Sequence, residues 1–537
     1  MNQRQYTLTI LPDETTLTGR EGDNLYTLLL LAGLVERGNP RSEQLCLERG
    51  AVSPADQPEA EAAVFTAAQR TEGWLLASQR HVTGDAVLRR GEDQPECTSM
   101  EEAEPLSRGY GLAFDLGTST IAAGLVDLAS INIPQLTAGP NRQTALAPRL
   151  EDRQALARTE AGRQQLRGQL IEDMQDLITK LSLRTGVGLD QITVLTCAGS
   201  CLMLDLLAER QTEALTGKVR CFTSMELGLT RLEPLTQVYL LPVVSRDLGA
   251  DVVSSCLAAD LLHKMEQPEA TLLVDLGAGG EIIGAGGGRM VAASIPDLPF
   301  EGNGIRYGIP AMTGAITQVE LDRRVVVKTV RDGRPKGIAG AGLLSAAHAM
   351  LEAGLLDAEG RICQPERLPP GVADRLRSGI DGRSFVLSPG DQNFPEDICI
   401  SQEDILALQM AKGAIYGACR AVLAAMEMEP NQIREILLAE AYRAHLDPQD
   451  LLALGVTPVV APQQMLAIGN AAWQGAFLCL SDRRCLEEAE QTAAALQRVD
   501  LNTDSVYAEE FIKGMRFVPD PEAPETRPKR RLAGDLL

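Results

Sequence analysis

The sequence predicts an α/β protein of two lobes facing one cleft, preceded by a small α+β unit. Three observations predict it. The signatures Phe114-Asp115-Leu116-Gly117-Thr118-Ser119-Thr120 and Val274-Asp275-Leu276-Gly277-Ala278-Gly279-Gly280 each close an apolar run. Their aspartates stand 160 residues apart, which is the scale of a domain rather than of a short repeat. After the second signature, strand-length apolar runs alternate with longer stretches of helical period.

The elements follow in order. Tyr6 to Ile10 alternates as a strand, Asn24 can cap an apolar helix running through Leu34, and a late strand fits Asp85 to Leu88. These belong to a unit of residues 1–92. Residues 93–107 are acidic and carry Pro95 and Pro105, the composition of a linker. Residues 108–518 form the two-lobed domain, and the Pro-rich, charged segment 519–537 reads as a disordered tail.

Within the large domain, Gly111 to Asp115 and Thr120 to Val126 predict a β-hairpin whose tip is a turn of small hydroxyl residues. A polar helix is expected from Glu151 to Leu183, and its Arg-rich part, Arg149 to Arg167, reads as a solvated face with compensating acids. A strand is expected at Ile192 to Thr196 and a helix at Asp251 to Met265. The second hairpin pairs Thr271 to Leu276 with Glu281 to Gly284, and another strand follows near Met290 to Ser294. Ser401 can cap a long helix in which Ile405, Leu408, Ala411, Ile415, Cys419, Val422 and Met426 recur every three or four residues. Strands at Glu435 to Leu438 and Arg498 to Leu501, with a helix at Ala471 to Leu480, complete the pattern.

Composition narrows the function classes. The formal net charge of −23 disfavours nucleic acid or an anionic membrane as partner, because phosphate binding needs clustered Lys and Arg. The longest apolar stretch, Leu25 to Val35, falls short of the roughly 20 residues that cross a bilayer. A cytoplasmic protein is expected. The eleven cysteines are scattered without a CxxC pair, which argues against a disulfide framework. Cys197 and Cys201 alone are close, and their spacing suits either a small-residue turn or a metal.

The two signatures carry the chemistry. An aspartate that ends a strand and runs into a Gly-containing turn presents a carboxylate to a hydrated divalent cation, while the N–H groups of the turn face phosphate oxygens. Asp115 and Asp275 are therefore the candidate catalytic and Mg²⁺-holding residues, through water. Gly117, Thr118, Ser119, Thr120, Gly277, Gly279 and Gly280 are the candidate phosphate-binding positions. Glu281 is a candidate base. A nucleotide would sit between the lobes.

Together with the turn Gly337-Ile338-Ala339-Gly340-Ala341-Gly342, these features resemble the acetate and sugar kinase, Hsc70 and actin (ASKHA) superfamily. A narrower resemblance rests on Tyr110-Gly111-Leu112-Ala113-Phe114-Asp115, Asp275-Leu276-Gly277-Ala278-Gly279-Gly280-Glu281, Pro299-Phe300-Glu301-Gly302-Asn303-Gly304-Ile305 and Gln409-Met410-Ala411-Lys412-Gly413-Ala414-Ile415. These stretches are similar to the reductive activators of corrinoid enzymes. The resemblance spans about residues 1 to 518. It implies an N-terminal ferredoxin-like domain, a linker and an ATP-binding domain. It also implies ATP-driven transfer of an electron onto an inactive Co(II) corrinoid.

The departures are specific. The family's cluster loop has three closely spaced cysteines, yet between Gly33 and Gly50 this chain has only Cys46, and a later ligand position reads Ala77-Ser78-Gln79. A 2Fe–2S centre needs four ligands, so a clusterless domain is expected, and Cys97 in the linker would not complete the set. Where the family has a glycine-rich turn under the adenosine, this chain has Ala439-Glu440-Ala441-Tyr442-Arg443. Gly340, Gly342, Ala439 and Glu440 are the positions that the resemblance puts on the adenosine side. His445 is read as a surface residue rather than a corrinoid ligand.

Two functions are therefore expected. One is an ATPase that remodels a corrinoid protein or corrinoid-dependent methyltransferase, with electrons from an external donor. The other is a non-catalytic pseudo-ATPase scaffold for the same partner. A small-molecule kinase shares the fold but lacks an evident substrate pocket. A homodimer is compatible with either reading.

Overall fold

A computed structural model describes residues 5–11, 15–20, 25–31, 34–35, 44–53, 72–77, 80–90, 104–129, 132–209, 216–277, 279–296, 298–365, 368–380, 382–390, 396–440 and 446–517. The N-terminal unit is a five-stranded sheet in the order β2-β1-β5-β3-β4. Its strands are β1 (Gln5–Leu11), β2 (Thr15–Arg20), β3 (Gln44–Ser53), β4 (Trp74–Leu76) and β5 (His81–Arg90), with helix α1 (Leu25–Leu31) between β2 and β3. The helix is shorter than the expected run to Leu34. Leu34 instead folds back, its amide donating to the Leu29 carbonyl at 2.8 Å and its side chain buried. The Asn24 cap, the segment around Cys97 and the 519–537 tail lie outside the described residues.

The first lobe is built on β6 (Tyr110–Leu116), β7 (Thr120–Asp127), β8 (Asn132–Pro140), β9 (Ile192–Gly199), β10 (Arg220–Thr223) and β11 (Gln237–Leu240), ordered β10-β11-β9-β6-β7-β8. The second uses β12 (Ala270–Leu276), β13 (Gly280–Gly286), β14 (Arg289–Ile295), β21 (Ile433–Glu440), β22 (Met465–Gly469) and β23 (Leu496–Arg498), ordered β22-β21-β12-β13-β14-β23. In each sheet the first three strands form an antiparallel meander. The first strand of that meander pairs in parallel with a fourth strand, β9 or β21, and that strand in parallel with a fifth, β11 or β22; the sixth strand differs, β10 lying outside β11 and β23 outside β14. The lobes thus share one five-strand arrangement, and the two hairpin tips occupy equivalent places in it. Between β14 and the long helix α8 (Gln402–Ala425) the second lobe inserts two three-stranded sheets and helix α7 (Gly340–Glu352). The inserted strands are β15 (Ala315–Leu321), β16 (Val325–Thr329), β17 (Gly337–Ile338), β18 (Leu376–Gly379), β19 (Gly382–Ser388) and β20 (Ile398–Ser401).

Several helices depart from expectation for local reasons. The stretch expected as one helix from 151 to 183 is two, α2 (Leu150–Leu156) and α3 (Glu160–Thr185). Thr159 breaks it: its hydroxyl accepts from the Gly162 amide at 3.1 Å and caps α3. The 251–265 helix is likewise divided, into α5 (Ala250–Ala258) and α6 (Leu261–Lys264), because Asp260 takes a left-handed φ of 55°. After β9 the chain turns into α4 (Cys201–Ala208). The Ser401 cap holds as read, with its hydroxyl and the Asp404 carboxylate closing a reciprocal box on α8 (Gln402–Ala425). The strand expected at 498–501 sits earlier, at 496–498, where Met290↔Leu496 sets its register and Leu496 is buried.

Four further helices end the described chain, α9 (Pro448–Leu454), α10 (Ala471–Ser481), α11 (Arg484–Ala495) and α12 (Ser505–Gly514). One helix of each lobe crosses to the other. α5 follows the first sheet, yet Val252 and Cys256 pack with Leu273, Ile283 and Leu437 of the second. α10 follows the second sheet, yet Trp473 Nε1 donates to the Ala113 carbonyl at 3.0 Å and Thr196 Oγ1 donates to the Ala476 carbonyl at 2.7 Å in the first. The two helices meet where Ser254 Oγ donates to the Ala472 carbonyl at 2.6 Å.

A Cβ on Gly475 would lie 2.0 Å from the Ser254 carbonyl oxygen, so this crossing admits no larger residue without moving a backbone. Gly475→Ala should cost about 1–3 kcal/mol in urea unfolding. Gly168→Ala, in α3 with nothing within 4 Å of its Cβ, should instead gain about 0.5–1 kcal/mol. Equal effects at the two sites would refute a tight crossing. Among the described residues no helix is long and apolar enough to span a membrane.

Candidate functional site

Each hairpin brings an aspartate to the end of its strand, where a continuously buried run gives way. In β6 and β12 the residues before Asp115 and Asp275 are buried, whereas the aspartates are only half-buried and begin the turn. Register then sets their neighbours: Asp115 lies opposite Ala122, and Asp275 opposite Glu281. The second lobe reaches Asp115 directly, since Asn470 Nδ2 donates to Asp115 Oδ2 at 2.9 Å. Asn470 is fixed for this contact because its Oδ1 caps α10 by accepting from the Trp473 amide at 2.8 Å.

The acids around the second hairpin form a cluster. The Glu281 carboxyl is held well above the ordinary carboxylate range, first by loss of hydration and then by the facing charges of Asp251, Asp275 and Asp247. Every charged neighbour that acts on it is an acid. Asp251, in the first turn of α5, is pushed up to about 6 by enclosure, against the pull of the backbone amide of Val252. Asp247 is balanced by Arg498, which binds both its oxygens at 2.7–2.8 Å.

Sequence reading missed Asp247, Asp251 and Asn470. Their positions follow from the crossing helices: α5 starts beside β9, where Gly249 approaches the Gly199 carbonyl, and carries Asp251 toward the second hairpin. Asn470 was legible only as a cap residue before a helix. The carboxylates of Asp115, Asp247, Asp251, Asp275 and Glu281 form no set close enough to share one bare ion. Among the described residues only Asp260, His263 and Glu488 do so. A cation held through water fits hard oxygen donors spaced in this way.

The tips differ in detail. Gly117 needs to be glycine because a Cβ there would lie 2.5 Å from the Thr120 carbonyl oxygen. In the second tip the Gly277 amide is consumed within the turn, donating to the Gly279 carbonyl at 2.9 Å, so it is not offered to a ligand. Ala278 lies outside the described residues. The Arg-rich stretch is not a solvated face throughout: Arg153 is 1% exposed and its Nη1 donates to the Thr118 carbonyl. Its neighbours α2 and α3 pack together there, which a helical-face pattern read as one helix did not anticipate.

The other candidates fall elsewhere. Gly340 and Gly342 begin α7, and Cβ atoms on them would meet the Phe300 and Ile316 carbonyl oxygens at 2.4 and 2.1 Å, so close packing already requires glycine at both. Ala439 is buried near the end of β21, next to the backbone of Glu440. Residues 441–445, with Tyr442, Arg443 and His445, lie outside the described residues, as do Ser78 and Gln79. The Gln409 to Ile415 stretch docks α12. Lys412 Nζ donates to the Gly514 carbonyl, Gln409 Nε2 to the Met515 carbonyl at 3.0 Å, and Gly413 makes room for the Phe511 backbone. Cys197 is fully buried and Cys201 Sγ donates to the Ser245 carbonyl at 2.9 Å; burial pushes both thiols up, away from the thiolate a metal needs.

Comparison with known proteins places this architecture. A family model described as the C-terminal domain of RACo, the ASKHA domain, matches residues 269–526, and one described as the RACo middle region matches residues 110–264. The corrinoid activation enzyme RamQ of Eubacterium limosum is 24% identical over 433 residues, covering 78% of this chain and 72% of the relative. A reductase of a Co(II) methylated amine-specific corrinoid protein from Methanosarcina barkeri is 24% identical over 410 residues, 68% of each chain. A solved reductive activator for a corrinoid, iron–sulfur protein shares the fold, with a TM-score of 0.69 over 95% of this chain and 98% of that one, at 22% identity. With both regional models matched in chain order and the two lobes in place, the chain belongs to the family of reductive activators of corrinoid enzymes.

Proposed function

We propose that the protein binds Mg-ATP between its lobes and uses it to activate a corrinoid protein reductively, drawing the electron from a separate donor. The observation that carries this reading is the pair of acid-ended hairpins, placed by two sheets that share a five-strand arrangement and bridged by the Asn470–Asp115 contact. The identity of the partner comes from the relatives' corrinoid substrates. Magnesium, when bound, would supply charge neutralisation at the phosphate oxygens. Asp115 and Asp275 would orient its water ligands, the tip amides would receive phosphate, and Glu281 with Asp251 would hold or release a proton beside it. Lobe motion would pass through the crossing helices α5 and α10 to the partner.

The N-terminal unit is proposed to carry no 2Fe–2S cluster. Cys46, the one cysteine of the expected loop, sits on β3 with its Sγ on the Glu72 carbonyl at 3.3 Å, and burial raises its thiol, the opposite of what an iron ligand requires. Anaerobic reconstitution should leave the protein without cluster absorption in the visible range. The activity test is reduction of a Co(II) corrinoid protein by an added low-potential donor, followed optically. Conversion should require both donor and Mg-ATP. Conversion without ATP, or without the donor, would defeat the reading. A cytoplasmic setting is part of the same proposal.

The scaffold alternative is favoured by one feature, the bulky Glu440-Ala441-Tyr442-Arg443 sequence in place of a glycine turn. Under it, glycines at 440, 441 and 443 should raise nucleotide affinity in a wild type that otherwise binds weakly. An unchanged affinity would remove this turn as the obstruction.

A further inference from the structure

We infer that Asn141 and Arg153 form a clamp behind the first hairpin tip that turns its amides toward the cleft, so that both are positioning residues for a di- or triphosphate. The inference rests on the nucleotide reading above and adds two residues that the hairpin signature does not contain. Asn141 Nδ2 donates to the Gly117 carbonyl at 3.0 Å, the Asn141 backbone amide donates to the Ser119 carbonyl at 2.8 Å, and Arg153 Nη1 donates to the Thr118 carbonyl. Three consecutive carbonyls are thus drawn to one side. A trans peptide is planar and points its C=O and the following N–H in opposite directions. Holding the Gly117 and Thr118 carbonyls inward therefore sets the amides of Thr118 and Ser119 outward.

Burial gives that direction its meaning. Asn141 is 0% and Arg153 1% exposed, whereas residues 117–120 are half-exposed. The amides of Gly117, Thr118 and Ser119 donate to no acceptor among the described residues. Successive outward amides of this kind make an anion-binding concavity, and a guanidinium behind them adds charge of the attractive sign.

The clamp is itself braced. Asn141 Oδ1 accepts from the Gln143 amide at 3.1 Å, Gln143 Nε2 donates to the Leu166 carbonyl at 2.8 Å, and the Arg142 amide donates to Asp173 at 2.9 Å, both on α3. Arg153 is presented by the separate helix α2, which the Thr159 cap sets off from α3. The second tip has no such arrangement at Gly277, whose amide turns inward. Among the described residues the first tip is therefore the one whose carbonyls are held back in this way.

The test is calorimetric titration of the full chain with Mg-ATP, inorganic pyrophosphate and adenosine. In Asn141→Ala and Arg153→Met the dissociation constants for Mg-ATP and pyrophosphate should rise about 10- to 100-fold, the effect expected of residues that orient a binding group. Adenosine binding should be unchanged, and Arg153→Lys should recover part of the loss. If Arg153→Met does not fold, Asn141→Asp carries the test, because it keeps the shape and replaces the Nδ2 donor by an oxygen. Wild-type affinity for Mg-ATP in variants of unchanged melting temperature would overturn the clamp, as would a loss that falls equally on adenosine. A wild type that binds neither Mg-ATP nor pyrophosphate would overturn the nucleotide reading and the clamp's purpose with it. That result is read on the unmutated chain and so is distinct from failure of the clamp alone.

Discussion

The Asp115→Ala, Asp275→Ala double variant should lose Mg-ATP binding in calorimetric titration and any Mg-ATP hydrolysis by about 10²–10³-fold or more, the range typical for removal of transition-state stabilisers. The size of the expected effect comes from position. The two aspartates end equivalent strands of the five-strand arrangement the two sheets share, and both are the first half-exposed residues after a buried run. A cation shared through water between the lobes would lose a donor from each side.

The single variants separate charge from contact. Asp115→Asn keeps an oxygen for Asn470 Nδ2 and removes only the charge, whereas Asn470→Ala keeps the charge and removes the interlobe hydrogen bond. If Asp115 acts through the cation, Asp115→Asn should approach the double variant while Asn470→Ala loses about tenfold or less. The reverse order would make Asp115 an interlobe strut. Full retention of Mg-ATP binding by the double variant would end the claim that the cleft acts through these carboxylates.

Much of this site was legible in the chain, for a physical reason. A strand buried on both faces reads as a continuous apolar run, and an aspartate that interrupts it must sit at an end, as Asp115 and Asp275 do. The hairpins and the Ser401 cap followed from equally local chemistry. What stayed hidden was created by chain crossings. Asp251 is an ordinary first-turn acid of a helix until α5 is laid against the opposite sheet, and Asn470 is an ordinary cap until α10 does the same. Arg153 looked like one more basic residue of a solvated helix. Thr159, a single hydroxyl competing for the Gly162 amide, splits that helix and buries the guanidinium under the first tip. The strand at 496–498 was placed late because alternation at Val499 and Leu501 imitates a strand, although the ladder with β14 ends at Arg498.

The acid cluster gives the second large effect, in the dependence of stability on pH and divalent cation. The Asp251 carboxyl titrates near 6 in the folded chain and near 3.8 as a free side chain, and Glu281 is displaced upward in the same sense. Between those values these two groups hold protons in the folded protein that the unfolded chain has released, so their contribution to stability falls as pH rises from about 4 through about 6 and beyond. Without divalent cation, the Asp251→Asn, Glu281→Gln variant should therefore be more stable than wild type at pH 8, by about 3 kcal/mol at most from Asp251 with a further share from Glu281, less what solvent at the cleft screens away. At pH 4, where wild type is protonated, the two should coincide. Magnesium should reverse the order at pH 8: it replaces the protons that the cluster holds, so it should bind wild type more tightly as pH rises and stabilise it while leaving the variant little changed. Urea unfolding at pH 4 and pH 8, with and without Mg²⁺, reads all four corners of this cycle. A wild type that, in the absence of cation, loses no stability relative to the variant between pH 4 and pH 8 would mean that the protonation of these carboxyls does not change on folding. The cluster would then not be the cation's counterpart in the cleft.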